Sequence, residues 1–156
     1  MVKEDIGLAA DARTYRAFLS YSHADEHFAR KLHRWLESYR IPARLVGTQT
    51  PLGTVPPRLT PIFRDRAELP AATSLDREVR QALSQSEALL VLCSPAARVS
   101  RWVGAEIALF RSLHPTRPII AALVEGEPEH SFPDALLEAD ADGVVHEPIA
   151  ADFRGD

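Results

Sequence analysis

The sequence has few of the residues that build cross-linked domains. Among its 156 residues there is one cysteine, Cys93, which excludes an intramolecular disulfide framework and any multi-cysteine zinc site. A chain of this length buries about two thirds of its unfolded surface, so it can fold without such cross-links. It corresponds to about one ordinary domain.

Long apolar runs and a strong charge of one sign are also lacking. The apolar stretch 119–124 is far short of the roughly 20 residues that span a bilayer. Residues 1–14 contain no apolar signal core and are predicted to form an N-terminal arm. The net charge of −4 argues against a dedicated nucleic-acid binder. We therefore expect a soluble, cytoplasmic module that binds neither membrane nor nucleic acid.

Several familiar catalytic motifs are absent. There is no GxGxxG after a strand, no GxxxxGK[ST] and no GxSxG. Residues 20–23, at the end of the first predicted strand, lack the acidic pocket that response-regulator receivers need. Ser94 is followed by Pro95 and has no predictable histidine partner, so we do not expect a nucleophile there. His23 and His27 lie four residues apart without a third ligand in view, which predicts surface histidines and no metal site.

Short strands alternate with helices along the chain. Residues 17–21 and the unbroken apolar runs 88–93 and 118–124 are typical of strands, the last two of buried parallel ones. An amphipathic helix is predicted from Asp25 onward. Its apolar stripe comprises Phe28, Leu32, Trp35, Leu36 and Tyr39. A second helix, capped by Ser100, is predicted to bury Val103, Ile107, Phe110 and Leu113.

The remaining segments are less regular. Five prolines and two glycines interrupt residues 40–61, where we predict a short strand at 44–46 and an extended piece at 62–63. Thr73 and Asp76 resemble a capping signal for a helix that buries positions 75, 79, 82 and 83. Beyond residue 125, a short helix at 133–138 and a weak strand at 144–145 are predicted.

The alternation of strands and helices predicts an α/β fold. We expect a central parallel sheet of about five strands with helices on both faces. In such folds ligands bind beyond the carboxyl ends of the strands, where segments 20–25, 64–72 and 94–102 meet. The candidate site is therefore sought in these three segments.

Trp102 and Glu106 are the informative pair. Four residues apart on a helix, they share one face that is offset from the apolar stripe, so both side chains should flank the cleft rather than sit in the core. Gly104 between them costs about 1 kcal/mol of helix stability relative to alanine, which suggests close approach of a ligand or loop. The plain alternative is that Trp102 is a packing residue and Glu106 a surface acid.

Four segments, in order, resemble a bacterial-type Toll/interleukin-1 receptor (TIR) domain. AFLSYSHAD (17–25) is similar to the first strand and turn of that family. IFRDRAELPAATSLDREVRQAL (62–83) resembles its second strand region, BB loop and following helix. ALLVLCSP (88–95) and SRWVGAEIALF (100–110) resemble its central strand and its tryptophan–glutamate helix. The resemblance covers about residues 15–125 and implies a flavodoxin-like TIR fold over residues 15–156.

The resemblance also implies an activity. Many similar TIR domains are NAD⁺ glycohydrolases, which cleave the nicotinamide–ribose bond to give nicotinamide and a linear or cyclic ADP-ribose. Their catalytic glutamate falls on Glu106, and NAD⁺ is then a substrate, so neither cofactor nor metal is expected. Activation would come from association with other TIR domains, as a homo-oligomer or filament, in bacterial signalling or defence.

The same resemblance implies a substrate-binding cleft. Trp102 would pack against a ring of the substrate, and Arg64 would meet the diphosphate. The other implied lining residues are Phe18, Ser20 and Tyr21 from the first strand end and Phe63, Asp65 and Leu69 from the loop side.

Two alternatives stay open, and two features depart from the family. The protein could be a non-enzymatic TIR scaffold for homotypic interaction, or a nucleoside-processing enzyme of related fold that acts on a smaller substrate. Ala71 and Ala72 stand where many members carry a glycine in the BB loop. The usual final helix is not evident, so we expect an excised N-terminal domain of a longer protein.

Overall fold

The computed structural model describes residues 15–64, 75–137, 142–144, 148 and 150–155. Its strands are β1 (Ala17–Ser20), β2 (Gln49–Thr50), β3 (Gly53–Thr54), β4 (Ile62–Arg64), β5 (Leu89–Cys93), β6 (Ile119–Leu123) and β7 (Ala150–Asp152). Its helices are α1 (Glu26–Ser38), α2 (Arg77–Ser84), α3 (Pro95–Val99), α4 (Arg101–Leu113) and α5 (Pro128–Ser131). Two 3-10 helices cover His23–Asp25 and Asp134–Leu136.

Five strands form one parallel sheet in the order β4-β1-β5-β6-β7. This arrangement confirms the predicted sheet of about five parallel strands. Because the strands are parallel, their carboxyl ends lie along one edge, and Ser20 at the end of β1 pairs in register with Val91 of β5.

Helices cover both faces of the sheet, as expected. On one face, Phe18 and Val91 pack with α2 and with Val103, Ile107 and Phe110 of α4. On the opposite face, β-strand residues pack against α1. The main buried members of that second core are Leu19, Leu92, Ala122, Ala29 and Leu32. Successive strand residues point to opposite faces, so Phe18 and Leu19 belong to different cores.

The predicted stripe of α1 is partly wrong. Trp35 is 56% exposed and Tyr39, which follows the helix, is 37% exposed. Their rings lie 5.2 Å apart and pack on each other at the surface. Ala29 and Leu32 are the buried residues of this helix, because only a narrow strip of the α1 surface packs on the sheet. Leu113, at the end of α4, is also exposed rather than buried.

The predicted strand at 44–46 is wrong, and the one at 144–145 is not found at Val144, its one described residue. Residues 43–47 form turns, and the extended pair in this region is the hairpin β2–β3. Val144 is half exposed and outside any strand, while Val145 lies outside the described residues. The extended piece at 62–63 is confirmed as β4.

The N-cap residue of α4 is the one predicted from the sequence, whereas that of α2 differs from the prediction. The Ser100 hydroxyl accepts a hydrogen bond from the Val103 N–H at 3.3 Å, as predicted. For α2, Asp76 itself is the N-cap and accepts from the Val79 N–H at 2.8 Å. Thr73 lies outside the described residues.

The predicted helix at 133–138 corresponds to the 3-10 helix Asp134–Leu136. Within the described residues, none of the helices has the length and apolar character needed to cross a bilayer.

Candidate active site

Glu106 is a buried carboxylate near the carboxyl edge of the sheet. Only 4% of the residue is exposed. Its Oε1 accepts a hydrogen bond from the Ser20 hydroxyl at 3.1 Å, and Ser20 is itself 1% exposed. Ser20 lies two residues after Phe18, so its side chain points to the face of the sheet that α4 covers. The end of β1 therefore supplies the donor that holds the Glu106 carboxylate.

The predicted exposure of Glu106 is wrong. Helical spacing places it beside the stripe of Val103 and Ile107, and α4 packs so closely on β1 and β5 that this neighbouring position is also covered. Burial makes an electrostatic interaction with a substrate stronger than it would be in water. The surface-acid alternative for Glu106 is excluded by the same burial.

Trp102 is half-buried at the start of α4, one turn before Glu106. This exposure is what the sequence predicts for a residue that flanks a cleft. At Gly104, by contrast, an added Cβ would meet nothing within 4 Å among the described residues. The described structure therefore gives no steric reason for a glycine at that position.

Phe18 and Phe63 form an aromatic stack beside this site. Their ring centroids are 5.0 Å apart with an interplanar angle of 25°. Tyr15 meets Phe63 edge-on at 5.3 Å. Phe18 is fully buried and Phe63 partly buried, so the pair anchors β4 to β1 on the α4 side of the sheet.

Arg64 and Tyr21 lie on the other side. Tyr21 packs in the core beneath α1, and the Nη1 of Arg64 donates to its hydroxyl at 3.5 Å. The same nitrogen is 4.0 Å from the Oε1 of Glu26 in α1. The structure thus groups Glu106, Ser20, Phe18 and Phe63, and directs the Arg64 guanidinium elsewhere. Asp65 and Leu69, together with Ala71 and Ala72, lie outside the described residues.

A second buried carboxyl at this edge was missed by the sequence analysis. Asp25 accepts a hydrogen bond from the Ser94 hydroxyl at 2.5 Å, and both residues are buried. Burial raises the pKa of the Asp25 carboxyl; the Ser94 hydrogen bond opposes this effect and the charge of Glu125 adds to it. Ser94 also accepts from the Ala97 N–H at 3.0 Å and so caps α3.

The Ser94–Pro95 pair did carry a signal for α3. A serine followed by proline is a common N-cap and first helical position. The Ser94 hydroxyl donates to Asp25 while it caps α3. In the described parts of the chain, no three His, Cys, Asp or Glu side chains are grouped so as to hold a metal ion.

Comparison with known families decides what kind of domain carries this site. The family model described as TIR domain matches residues 17–154. This chain belongs to the TIR domain family. The TIR match covers both the sheet and the buried glutamate, and it confirms the resemblance noted in the sequence.

The similarity extends to a curated relative and to solved structures. The chain is 34% identical over 114 residues to the NAD(+) hydrolase ApTIR of Actinoplanes sp., a match that covers 72% of this chain. That match spans 14% of the length of this curated relative. Among solved structures, the TIR domains of the activated Roq1 resistosome directly recognizing the pathogen effector XopQ superpose with a TM-score of 0.50 at 20% identity. The superposition covers 74% of this chain and 60% of the other, and it supports the TIR fold.

Proposed function

We propose that this TIR domain hydrolyses NAD⁺ at the bond between nicotinamide and ribose. The observation that carries the proposal is the buried Glu106 carboxylate, held by Ser20 at the sheet edge where α/β folds bind ligands. Similarity to a NAD(+) hydrolase supports this choice of substrate. In this proposal NAD⁺ is the substrate and not a resident cofactor. We also propose that the domain acts in the cytoplasm.

A single carboxylate suffices for this reaction. Glycosidases usually need a second carboxyl group to protonate a poor leaving group. Nicotinamide, however, leaves as a neutral molecule from a ring that is already cationic, so no acid is needed. As the bond from ribose C1′ to the ring nitrogen breaks, positive charge develops on the ribose, and a fixed anion stabilises that charge.

The atoms balance with water as the only co-reactant. Its oxygen forms the new bond to C1′, the electron pair of the broken bond goes to the nicotinamide nitrogen, and one proton is released. The products are ADP-ribose and nicotinamide. If a nitrogen of the substrate's own adenine attacks C1′ in place of water, the product is a cyclic ADP-ribose.

The other residues have supporting parts in this proposal. Ser20 is a positioning residue, because its hydroxyl fixes one oxygen of the carboxylate. Trp102 is half-buried one helical turn away, where its ring can stack on the cationic nicotinamide. Phe63 is proposed to shape the wall of the cleft, with the fully buried Phe18 stacked behind it. Tyr21 packs beneath α1 on the other face of the sheet, so the wall position expected for it is wrong. The parts assigned to Asp65 and Leu69 on the loop side remain predictions. Arg64 is left out of this site, because its guanidinium is directed to Tyr21 and Glu26 on the α1 side.

Assembly with further copies is part of the proposal. Following the family resemblance, we expect turnover to depend on clustering of TIR domains, with the BB-loop side of one copy brought against the cleft of another. Dilute protein should therefore turn over slowly, and its inactivity alone decides nothing.

The experiment compares nicotinamide release from NAD⁺ by dilute protein and by protein fused to an oligomeric scaffold. We expect release from the clustered protein and none from clustered Glu106→Gln. Glu129→Gln is the matched control, because Glu129 is an exposed glutamate on α5. Absence of release from every forced assembly would favour the non-enzymatic scaffold. Release that survives Glu106→Gln would remove the catalytic assignment.

A further inference from the structure

A basic cleft lies between α1 and the β4 edge of the sheet. Its volume is about 480 Å³, which is within the range of pockets that hold small organic ligands. Charged side chains dominate its lining. They are Arg30, His33, Arg34, Glu37, Arg58 and Arg64. None of these residues contributes to the group formed by Glu106 and Ser20.

The acidic residue of the cleft is occupied by the backbone of β4. Glu37 accepts a hydrogen bond from the Ile62 N–H at 2.8 Å. His33 places its Nε2 at 2.7 Å from the Ile62 carbonyl oxygen and at 3.4 Å from Glu37. These two side chains cover the backbone groups of Ile62 that an edge strand leaves open, and so fix α1 against β4. Of the four arginines that line the cleft, Arg30 is paired with Glu26 at 3.4 Å, and the one acidic residue of the lining, Glu37, is already engaged.

Arg64 lies at the base of the cleft and is poorly satisfied. Its side chain is 10% exposed. Its contacts to Tyr21 and Glu26 are long, at 3.5 and 4.0 Å, and both are made by Nη1. The Nε is buried and has no hydrogen-bond partner among the described residues. A buried guanidinium with donors left over is costly, and an anion that accepts from them relieves that cost.

We propose that this cleft binds a small molecule through a phosphate or diphosphate group. Planar guanidinium groups bind phosphate oxygens through paired hydrogen bonds, and they do so better than lysines. Arg64 provides the buried contact, while the exposed Arg34 and Arg58 contact the anion from the rim.

The site is distinct from the one built around Glu106. Arg64 and Phe63 are neighbours on one strand and therefore face opposite sides of the sheet. Phe63 packs with Phe18 on the α4 side, whereas Arg64 reaches Tyr21 and α1. A ligand in the basic cleft thus contacts α1 and β4. It can be bound at the same time as a substrate at Glu106.

Isothermal titration at low salt with inorganic pyrophosphate tests the proposal. We expect saturable binding at one site, about tenfold or more weaker in Arg34→Gln/Arg58→Gln, where two exposed residues are changed. Arg44→Gln/Arg77→Gln removes the same charge from exposed positions outside the cleft and should bind as the unmodified protein does. Arg64→Lys keeps the charge but loses the planar fork, so it should also bind more weakly. Glu106→Gln should bind normally.

Further arms distinguish the sources of the phosphate. Tighter binding of ADP than of pyrophosphate would identify a nucleotide ligand, and equal binding would identify a free phosphate; both results support the site. Equal losses in the two double variants, or no saturable binding, would overturn it. Competition between pyrophosphate and NAD⁺ would make Arg64 part of the substrate site instead. Tighter binding of a polyglutamate peptide would assign the cleft to an acidic protein segment.

Discussion

Replacing Ser20 with alanine tests how far turnover depends on the hydrogen bond that holds Glu106. The Ser20 hydroxyl is 3.1 Å from Glu106 Oε1, and both residues are at most 4% exposed. Little water reaches this pair to replace the lost donor. A hydrogen bond to a charged group contributes about 1.5–3 kcal/mol. If that contribution is needed to orient the carboxylate in the transition state, kcat should fall by about 10- to 150-fold.

The assay is steady-state nicotinamide release by the clustered protein, with kcat and KM determined separately. KM should change little, because a positioning residue acts through Glu106 and not on the bound substrate. Ser20→Thr, which retains the hydroxyl, should recover part of the lost kcat. Ser84→Ala is the control, since Ser84 is exposed on α2 and donates to the Gln81 carbonyl oxygen. A folded Ser20→Ala protein with unchanged kcat would refute the reasoning.

Three further predictions concern folding and reactivity. The raised pKa of Asp25 means that the folded state binds its proton more readily than the unfolded state, so this carboxyl contributes stability at low pH that is lost as the pH rises above 3.8. The Tm of Asp25→Asn minus that of the unmodified protein should therefore increase as the pH is raised from about 3.8 to neutrality. A difference in Tm that stays constant across that range would contradict the assignment. Burial raises the pKa of the Cys93 thiol to about 12. Iodoacetamide should therefore modify Cys93 only after denaturation, as measured by mass spectrometry. Rapid labelling of the folded protein would contradict this prediction, because it would show the thiol to be accessible. Ser100→Ala removes the cap of α4 and should lower the free energy of unfolding in urea by about 1 kcal/mol, whereas an unchanged value would show that the cap adds nothing.

The fold was predictable where apolar patterns are long. The runs that became β5 and β6 are unbroken, and the stripe of α4 repeats at helical spacing behind a serine cap. The hairpin β2–β3 was not predictable from periodicity, because its strands have two residues each and all are exposed. It depends on local geometry, including Gly53 at a φ of 114° that favours glycine.

The apolar residues of α1 show a different limit. A hydrophobic stripe indicates which face turns toward the protein, but not how far the sheet extends beneath it. Trp35 continues the stripe in sequence and lies beyond the sheet in space, so it remains exposed. Ala29, a small residue in the same helix, is fully buried because α1 approaches the sheet closely there.

For the candidate site, the sequence pointed to Glu106 but did not predict that its side chain is buried. Helical spacing fixes the direction of Glu106, whereas its burial depends on how tightly α4 packs against β1. The orientation of Arg64 could have been predicted. In a strand that buries Phe63 on the α4 side, the next residue must face α1. The Asp25–Ser94 hydrogen bond joins residues 69 positions apart and could not be predicted from local pattern.

The central claim is that Glu106 performs the chemistry and does not merely support the fold. The most direct test follows NAD⁺ by proton NMR in the presence of clustered Glu106→Gln protein. We predict that saturation transfer to NAD⁺ persists, which shows that the variant folds and binds, while no nicotinamide signal appears. Nicotinamide release by this variant at the rate of the unmodified protein would contradict the claim.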